Sequence, residues 1–462
     1  MQERQFSSML DELRNAFQSG LTVSFAWRRA QLLALLRFLR EREVDIAAAV
    51  HADLGKSAQE TFLTETSFLA GEIRYALKHL KAWMRPSRRG VPPHYQFGHG
   101  AVHPEPRGVV LIIGAWNYPL QLVLAPLAAA LAAGNCAVLK PSEHAPHTSA
   151  LLARSAGEYF DSSAVRVVEG GIVEAGALLA ERFDFIFYTG SRNGGREVML
   201  AAARHMLPVA LELGGKNPCI VEPDAALRTA ARRIVWAKFL NAGQTCIAPD
   251  YLLVHEDVVS VLLSFMQQAI RDFFGADPRK SPDYSRIVND HHFTRLERLL
   301  RDGTIVAGGH SERASRYIAP TILREIAAGS AIMEEEIFGP LLPVLTYRSF
   351  DEALAFIGQR DDSLALYLFS SKRATEKKAL RQTRSGSFCC NDLLFQSAVH
   401  TLPFGGTGKS GFGRYHGKAG FETFSLSRSV LCKSVFPDPD LRYPPYGKSK
   451  FAILKAIVRL FG

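Results

Sequence analysis

The chain has 462 residues, 47% hydrophobic and 22% charged. This ordinary globular composition excludes disordered, collagen-like and coiled-coil classes and, at roughly 150 residues per domain, leaves room for about three units. Its 55 Lys and Arg against 45 Asp and Glu leave a net charge of +10, which admits nucleic acid, anionic lipid or an anionic cofactor until its position is known.

The cysteines, Cys136, Cys219, Cys246, Cys389, Cys390 and Cys432, are scattered without a C-x-x-C pair, so neither a disulfide framework nor a metal site is expected. The start, MQERQFSSMLDELRNAF, carries charges throughout and lacks the apolar run of a signal peptide. No stretch reaches the roughly 20 apolar residues of a membrane span. These features point to a cytoplasmic setting.

Residues 31–49 place Leu and Ile at helical spacing between charges, which predicts one amphipathic helix, and a second is expected over 64–83. The breaker cluster at 85–93 marks a seam. Beyond it the β-branched run 109–113 reads as a buried strand. A Leu/Ala helix follows Pro119 and stops at Gly134-Asn135. Strands at 136–139, 165–168 and 185–188 alternate with a helix from about Pro146 and another after Gly194-Gly195. This rhythm predicts a parallel sheet with crossover helices. It restarts at 209, with strands at 209–213 and 219–221, a helix over 225–239, and strands near Tyr251, Ile305, Val344 and Leu364. A second α/β domain is the natural reading.

Six short stretches carry residue types suited to chemistry, each with a plainer alternative. FLNAGQTCIAP sets Cys246 in a loop after a helix end. Backbone N–H groups there can depress a thiol pKa and make a nucleophile, whereas most cysteines are inert buried thiols. LELGG puts the Glu212 carboxylate at a strand end, where open α/β sheets build sites; the alternative is a solvated edge. GAWNYP holds Asn117, whose neutral amide can donate to a developing oxyanion or simply shape the turn before Pro119. VLKPSE offers Lys140 and Glu143 to ribose hydroxyls, or as a surface pair. TGSRNGG presents Gly190, Ser191 and Gly195 at a helix start suited to pyrophosphate, although it is not G-x-G-x-x-G. EEEIFGP supplies Glu336 and Phe338, by themselves an acidic turn with one aromatic.

Two features are decoys. Gly408-Lys409-Ser410 lacks the glycine a phosphate loop needs, since Pro403 stands there. His291-His292 has no metal spacing and reads as surface loop.

Taken together, PRGVVLIIGAWNYP, VLKPSE, TGSRNGG, LELGGK, GQTC, EEIFGP and PFGGTGKSGFGRYHG, in this order, resemble the aldehyde dehydrogenase superfamily from about residue 10 to 445. Tyr118 after Asn117, RYHGKAGFETFS and RYPPY are similar to its class 3 branch. The resemblance implies an α/β fold with two Rossmann-like open-sheet domains, cofactor and catalytic, plus a small β bridging or oligomerisation segment. The implied boundaries are 1–85 and 108–208 for NAD(P) binding, 209–405 for catalysis, 86–107 and 406–445 for the bridge, and 446–462 for a basic amphipathic tail.

It also implies roles. Cys246 attacks an aldehyde to give a thiohemiacetal, and Asn117 with the Cys246 N–H holds the oxyanion. Hydride passes to NAD or NADP, and Glu212 activates water to hydrolyse the thioester, with Glu336 as a possible sharer of that work. Lys140, Glu143, Gly190, Ser191, Gly195, Glu336 and Phe338 contact the cofactor. A homodimer is implied too, bridged near 90–106 and 423–435.

Gln396 departs from the family's His after Asn391-Asp392, and Thr407 from its Val, which bears on substrate rather than chemistry. Tyr118, Trp236 and Phe239 suggest an apolar tunnel for medium- or long-chain aliphatic or aromatic aldehydes, with core packing as the alternative. Acyl-thioester or acyl-phosphate reductases of this fold generally lack the base at Glu212. A non-catalytic membrane-associated scaffold would be expected to have lost part of the Asn117, Glu212 and Cys246 set.

Residues 441–462 carry five basic residues, Arg442, Lys448, Lys450, Lys455 and Arg459, and no acid, so the rest of the chain keeps a mild +5. On a helix, Lys448, Lys455 and Arg459 share a face apart from Ile453, Leu454, Ile457, Leu460 and Phe461. Peripheral contact with an anionic membrane, or docking on a protein core, is expected of this tail; nucleic acid is not.

Overall fold

The structure is a computed structural model that describes residues 2–92, 98–327 and 329–461, the side chains of 2–5 and 461 excepted. Residues 93–97 of the expected bridge, the ends Met1 and Gly462, and the Phe461 side chain expected on the tail's apolar face lie outside the described residues.

The first sheet orders its strands Gly411–Phe412, Val209–Leu213, Phe185–Gly190, Val109–Ile113, Cys136–Lys140 and Val165–Val167. All pairings are parallel except that of Gly411–Phe412. Numbered along the chain, its five parallel strands run 3-2-1-4-5, so the order reverses between Val109–Ile113 and Phe185–Gly190, where open α/β sheets bind ligands. Helix Gln121–Ala133, apolar on every side, is buried at all positions but the first. It packs between the sheet and helices Ser67–Trp83 and Gly417–Thr423.

The second sheet has seven strands, ordered Thr304–Ala307, Thr321–Arg324, Leu341–Tyr347, Tyr251–His255, Pro218–Val221, Ser363–Phe369 and Ser385–Cys390. Only the outermost pairing, of Thr304–Ala307, is antiparallel. A third, antiparallel sheet joins Ser87–Arg89, Gly98–Pro106 and Ser425–Lys433, the last two zipped from Ser425 opposite Pro106 to Lys433 opposite Gly98.

Several expectations are corrected. Strand Val209–Leu213 belongs to the first sheet, because its partner is Phe185–Gly190, and the first strand of the second sheet along the chain is Pro218–Val221. Within 406–445, Gly411–Phe412 likewise joins the first sheet, and only Ser425–Lys433 joins the bridge. The helix over 31–49 is two, Phe25–Glu41 and Glu43–Leu54, because Arg42 leaves helical geometry at φ −107°, ψ 17°. The helix expected from Thr64 is preceded by helix Ala58–Thr61 and a π-helical turn, Phe62–Thr66. The one expected after Gly194-Gly195 begins at Arg192, with Ser191 as its cap.

The tail forms helix Lys448–Phe461. Phe451, Val458 and Leu460 are exposed along it, and Lys450 pairs with Asp440 at 2.6 Å. No helix among the described residues is long and apolar enough to cross a membrane.

Candidate active site

Helix Leu227–Phe239 delivers the chain into a tight loop in which Asn241 and Ala242 both sit at φ 50°. Left-handed backbone costs a non-glycine residue about 1–2 kcal/mol, so it persists only where surroundings enforce it. Here the buried Glu60 carboxylate accepts the Asn241 N–H at 2.9 Å, and the Gln244 amide donates to the Asn241 carbonyl at 3.0 Å.

Cys246 follows, half-buried, its carbonyl held by the Asn217 amide at 2.7 Å. Its own N–H and that of Ile247 favour the thiolate. Burial, Glu336 and Glu212 outweigh them and push the thiol up to about 12. The depressed thiol that a loop of N–H groups suggests is thus not what this site provides.

Asn117 is buried just past strand Val109–Ile113. Its amide donates to the Gln244 carbonyl at 3.1 Å, tying it to the Cys246 loop. Tyr118, also buried, bonds Thr245 through its hydroxyl at 2.6 Å. Trp116 lies between two rings, Phe338 at 5.3 Å and His292 at 5.2 Å between centroids. His292 is therefore not surface loop. It sits in the first turn of helix Asp290–Leu299, half-buried, its pKa lowered to about 4 by burial and by Arg295.

Glu212 is buried in its strand, and among the described residues neither carboxylate oxygen has a hydrogen-bond partner. Burial raises its pKa well above 4.5, opposed only by Arg414. Glu336 accepts the Gly215 N–H at 3.0 Å, and burial raises it to about 7. A Cβ at Gly214 would press on the Glu336 carboxylate, which lies directly against this turn. Phe338 takes φ 47° in the same turn.

At the strand ends of the first sheet, buried Lys140 donates to the Pro141 carbonyl at 2.8 Å and pairs loosely with half-exposed Glu143 at 3.7 Å. Gly190 ends its strand, and the Ser191 hydroxyl accepts the Gly194 N–H at 3.2 Å, opening helix Arg192–His205. Gly195 lets that helix lie against the sheet, since a Cβ there would meet Leu213 at 2.8 Å. Thr189 beside them keeps a buried hydroxyl without a partner among the described residues. A lysine, polar orphans and a helix N-terminus at the point where strand order reverses fit a dinucleotide.

Of the expected substrate residues, Trp236 stacks on Phe395 at 5.5 Å, while Phe239 is fully buried in the core. Gln396 donates to the Tyr367 hydroxyl at 3.1 Å. Thr407 accepts the Ser410 hydroxyl on its carbonyl at 2.7 Å. Sequence reasoning missed Trp116, His292, and the buried Lys56, Glu60 and Glu65. The last three lie in no motif, and their partners are distant along the chain.

A model of the aldehyde dehydrogenase family matches residues 1–430. The chain belongs to the aldehyde dehydrogenase family. As such it is an enzyme that oxidises aldehydes with a nicotinamide cofactor. This aldehyde dehydrogenase is 46% identical to aldehyde dehydrogenase family 3 member B1 of Homo sapiens, over 96% of each chain. It is 45% identical to the dimeric NADP-preferring aldehyde dehydrogenase of Canis lupus familiaris, over 95% of this chain and 97% of that one. The substrate-bound structure of Staphylococcus aureus AldH superposes with a TM-score of 0.95 at 43% identity, covering 98% of this chain and 99% of the other.

Proposed function

We propose that this aldehyde dehydrogenase oxidises medium- or long-chain aliphatic or aromatic aldehydes to carboxylic acids, with Cys246 as nucleophile. The observation that carries the assignment is the tie between the Asn117 amide and the loop bearing Cys246, through Gln244. The tie keeps a neutral donor beside the Cys246 loop, which supports a part for it in stabilising a thiohemiacetal oxygen. The Cys246 sulfur adds to the carbonyl carbon, its proton passing to a neighbouring carboxylate. Lys140, Glu143, Gly190, Ser191 and Gly195 would hold the dinucleotide, and Glu336 and Phe338 its nicotinamide ribose. When bound, the nicotinamide accepts the substrate hydride.

The remaining thioester on Cys246 is hydrolysed by water that gives its proton to Glu212, whose unpartnered oxygens are free to take it. The exposed, loosely paired Glu143 supports acceptance of either NAD or NADP, since it can turn from a 2′-phosphate. The Trp236–Phe395 stack and buried Tyr118 support an apolar substrate path. Initial rates of NAD(P)H formation across an aldehyde series are expected to rise from acetaldehyde to ten-carbon chains. A preference for acetaldehyde would reject the apolar path.

We further propose a cytoplasmic homodimer bridged by the antiparallel sheet, with tail helix Lys448–Phe461 lying on anionic membrane. The exposed apolar Phe451, Val458 and Leu460 beside Lys448, Lys455 and Arg459 support the contact. Removing 447–462 is expected to leave twice the chain mass by light scattering. It is also expected to weaken salt-dependent binding to phosphatidylserine vesicles. Unchanged vesicle binding, or a monomer mass for the full chain, would reject the corresponding part.

A further inference from the structure

Beneath the active site lies a charged network that the reaction itself does not use. Lys56 is completely buried and spends its ammonium on three neighbours. It donates to the Glu65 carboxylate at 3.0 Å and to the backbone carbonyl of Asn117 at 2.9 Å, and it lies 3.9 Å from the centre of the Tyr118 ring. Glu65, equally buried, uses its other oxygen to accept the N–H groups of Leu120 at 2.8 Å and Gln121 at 3.2 Å, where helix Gln121–Ala133 begins. The two charges therefore grip the Asn117 loop on both sides, one at its carbonyl and one at the helix that follows.

The grip closes around the nucleophile loop as well. The Asn117 carbonyl takes a second hydrogen bond, from the Asn241 amide at 2.8 Å, so both its lone pairs are used and its peptide plane is fixed. The Asn241 amide also reaches the Gln244 carbonyl at 3.1 Å, the same acceptor that receives the Asn117 amide. Glu60, nine-tenths buried in the segment between Lys56 and Glu65, secures the Asn241 N–H. Glu65 itself falls within the π-helical turn Phe62–Thr66. Such turns are rare and cluster at functional sites.

We infer that Lys56, paired with Glu65, is a positioning residue that fixes the orientation of the Asn117 oxyanion donor against the Cys246 loop. The inference rests on the role proposed above for Asn117. A buried ion pair is a poor source of net stability, because desolvation offsets its attraction and apolar replacements of similar volume often fold as well. Its geometry, by contrast, is specific: a charged donor locks one carbonyl of the oxyanion loop. A donor displaced by about 1 Å can lose roughly a hundredfold in rate without weakening substrate binding.

The test uses the full chain and measures kcat, KM for aldehyde and cofactor, and thermal unfolding. The double variant Lys56→Met/Glu65→Gln removes both charges and keeps the acceptor for Leu120 and Gln121. It is expected to unfold within about 5 °C of the parent and to lose about 10- to 100-fold in kcat with both KM values within about twofold. Lys56→Arg, which keeps the charge and shifts the donor, is expected to lose about 3- to 10-fold in kcat and serves if the double variant does not fold.

Both sets are repeated in an Asn117→Ala background, where a residue acting through the Asn117 amide should cost less than about threefold further. Retained kcat in a folded Lys56 variant overturns the inference and leaves the role of Asn117 standing. So does a loss that multiplies fully onto that of Asn117→Ala. Retained kcat in Asn117→Ala alone overturns the role of Asn117 first, and the inference with it.

Discussion

Cys246→Ala is expected to lower aldehyde-dependent NAD(P)H formation by at least about four orders of magnitude while the fold survives. The side chain is half-buried, and its backbone is held by Asn217 independently of the sulfur, so deleting one atom leaves a small defect. The other half-buried thiols, Cys389 and Cys390, are raised by burial. Cys219 and Cys136 are fully buried, and burial raises both their thiols. Thermal unfolding within a few degrees of the parent, with turnover gone, is the expected pair of results. Turnover above about 1% of the parent would remove Cys246 from the chemistry.

Glu212→Gln is expected to cost about 10²- to 10³-fold in kcat and to leave a thioester that accumulates in a burst. Among the described residues the carboxylate has no hydrogen-bond partner, and burial, opposed by Arg414, raises its pKa well above 4.5. To act as a base it must lose its proton. The parent's kcat should therefore climb with pH through the raised pKa, and the glutamine variant should lose that limb.

The same shift fixes a stability sign. A carboxyl whose folded pKa lies above its unfolded value contributes stability at low pH and forfeits it as pH rises through the folded pKa, so Glu212→Gln should unfold at higher temperature than the parent in alkaline buffer. Removing this charge should also lower the Cys246 thiol pKa, because Glu212 is among the groups that raise it. Alkylation by iodoacetamide as a function of pH reads that directly. An unchanged kcat, with no burst, would assign the water-activating role elsewhere.

The features legible in the sequence are those whose meaning is local. Asn117, Glu212 and Cys246 each sit in a short string next to a strand or helix end, and seven such strings in order suffice for a family. The buried runs 109–113 and 363–369 likewise announce strands. Illegible features depend on distant partners. The sheet to which 209–213 belongs is one example, because that strand takes its place from Phe185–Gly190, not from its own composition. Lys56 grips Asn117 across 61 positions, and Glu60 reaches Asn241 across 181, so a lone lysine in GKS carries no hint of either. His292 looks like loop until Trp116 is beside it. The thiol of Cys246 follows the same rule: its immediate neighbours lower the pKa, and Glu336, ninety positions on, helps reverse them.

The short strand Gly411–Phe412 places Gly411 opposite Glu212 and Phe412 opposite Leu211. During synthesis the strand bearing Glu212 must therefore wait with one edge open until residue 412 has been made. Cys246 and most of the first sheet leave the ribosome far earlier. An unpaired edge on a half-made sheet is a site for wrong pairing between nascent chains.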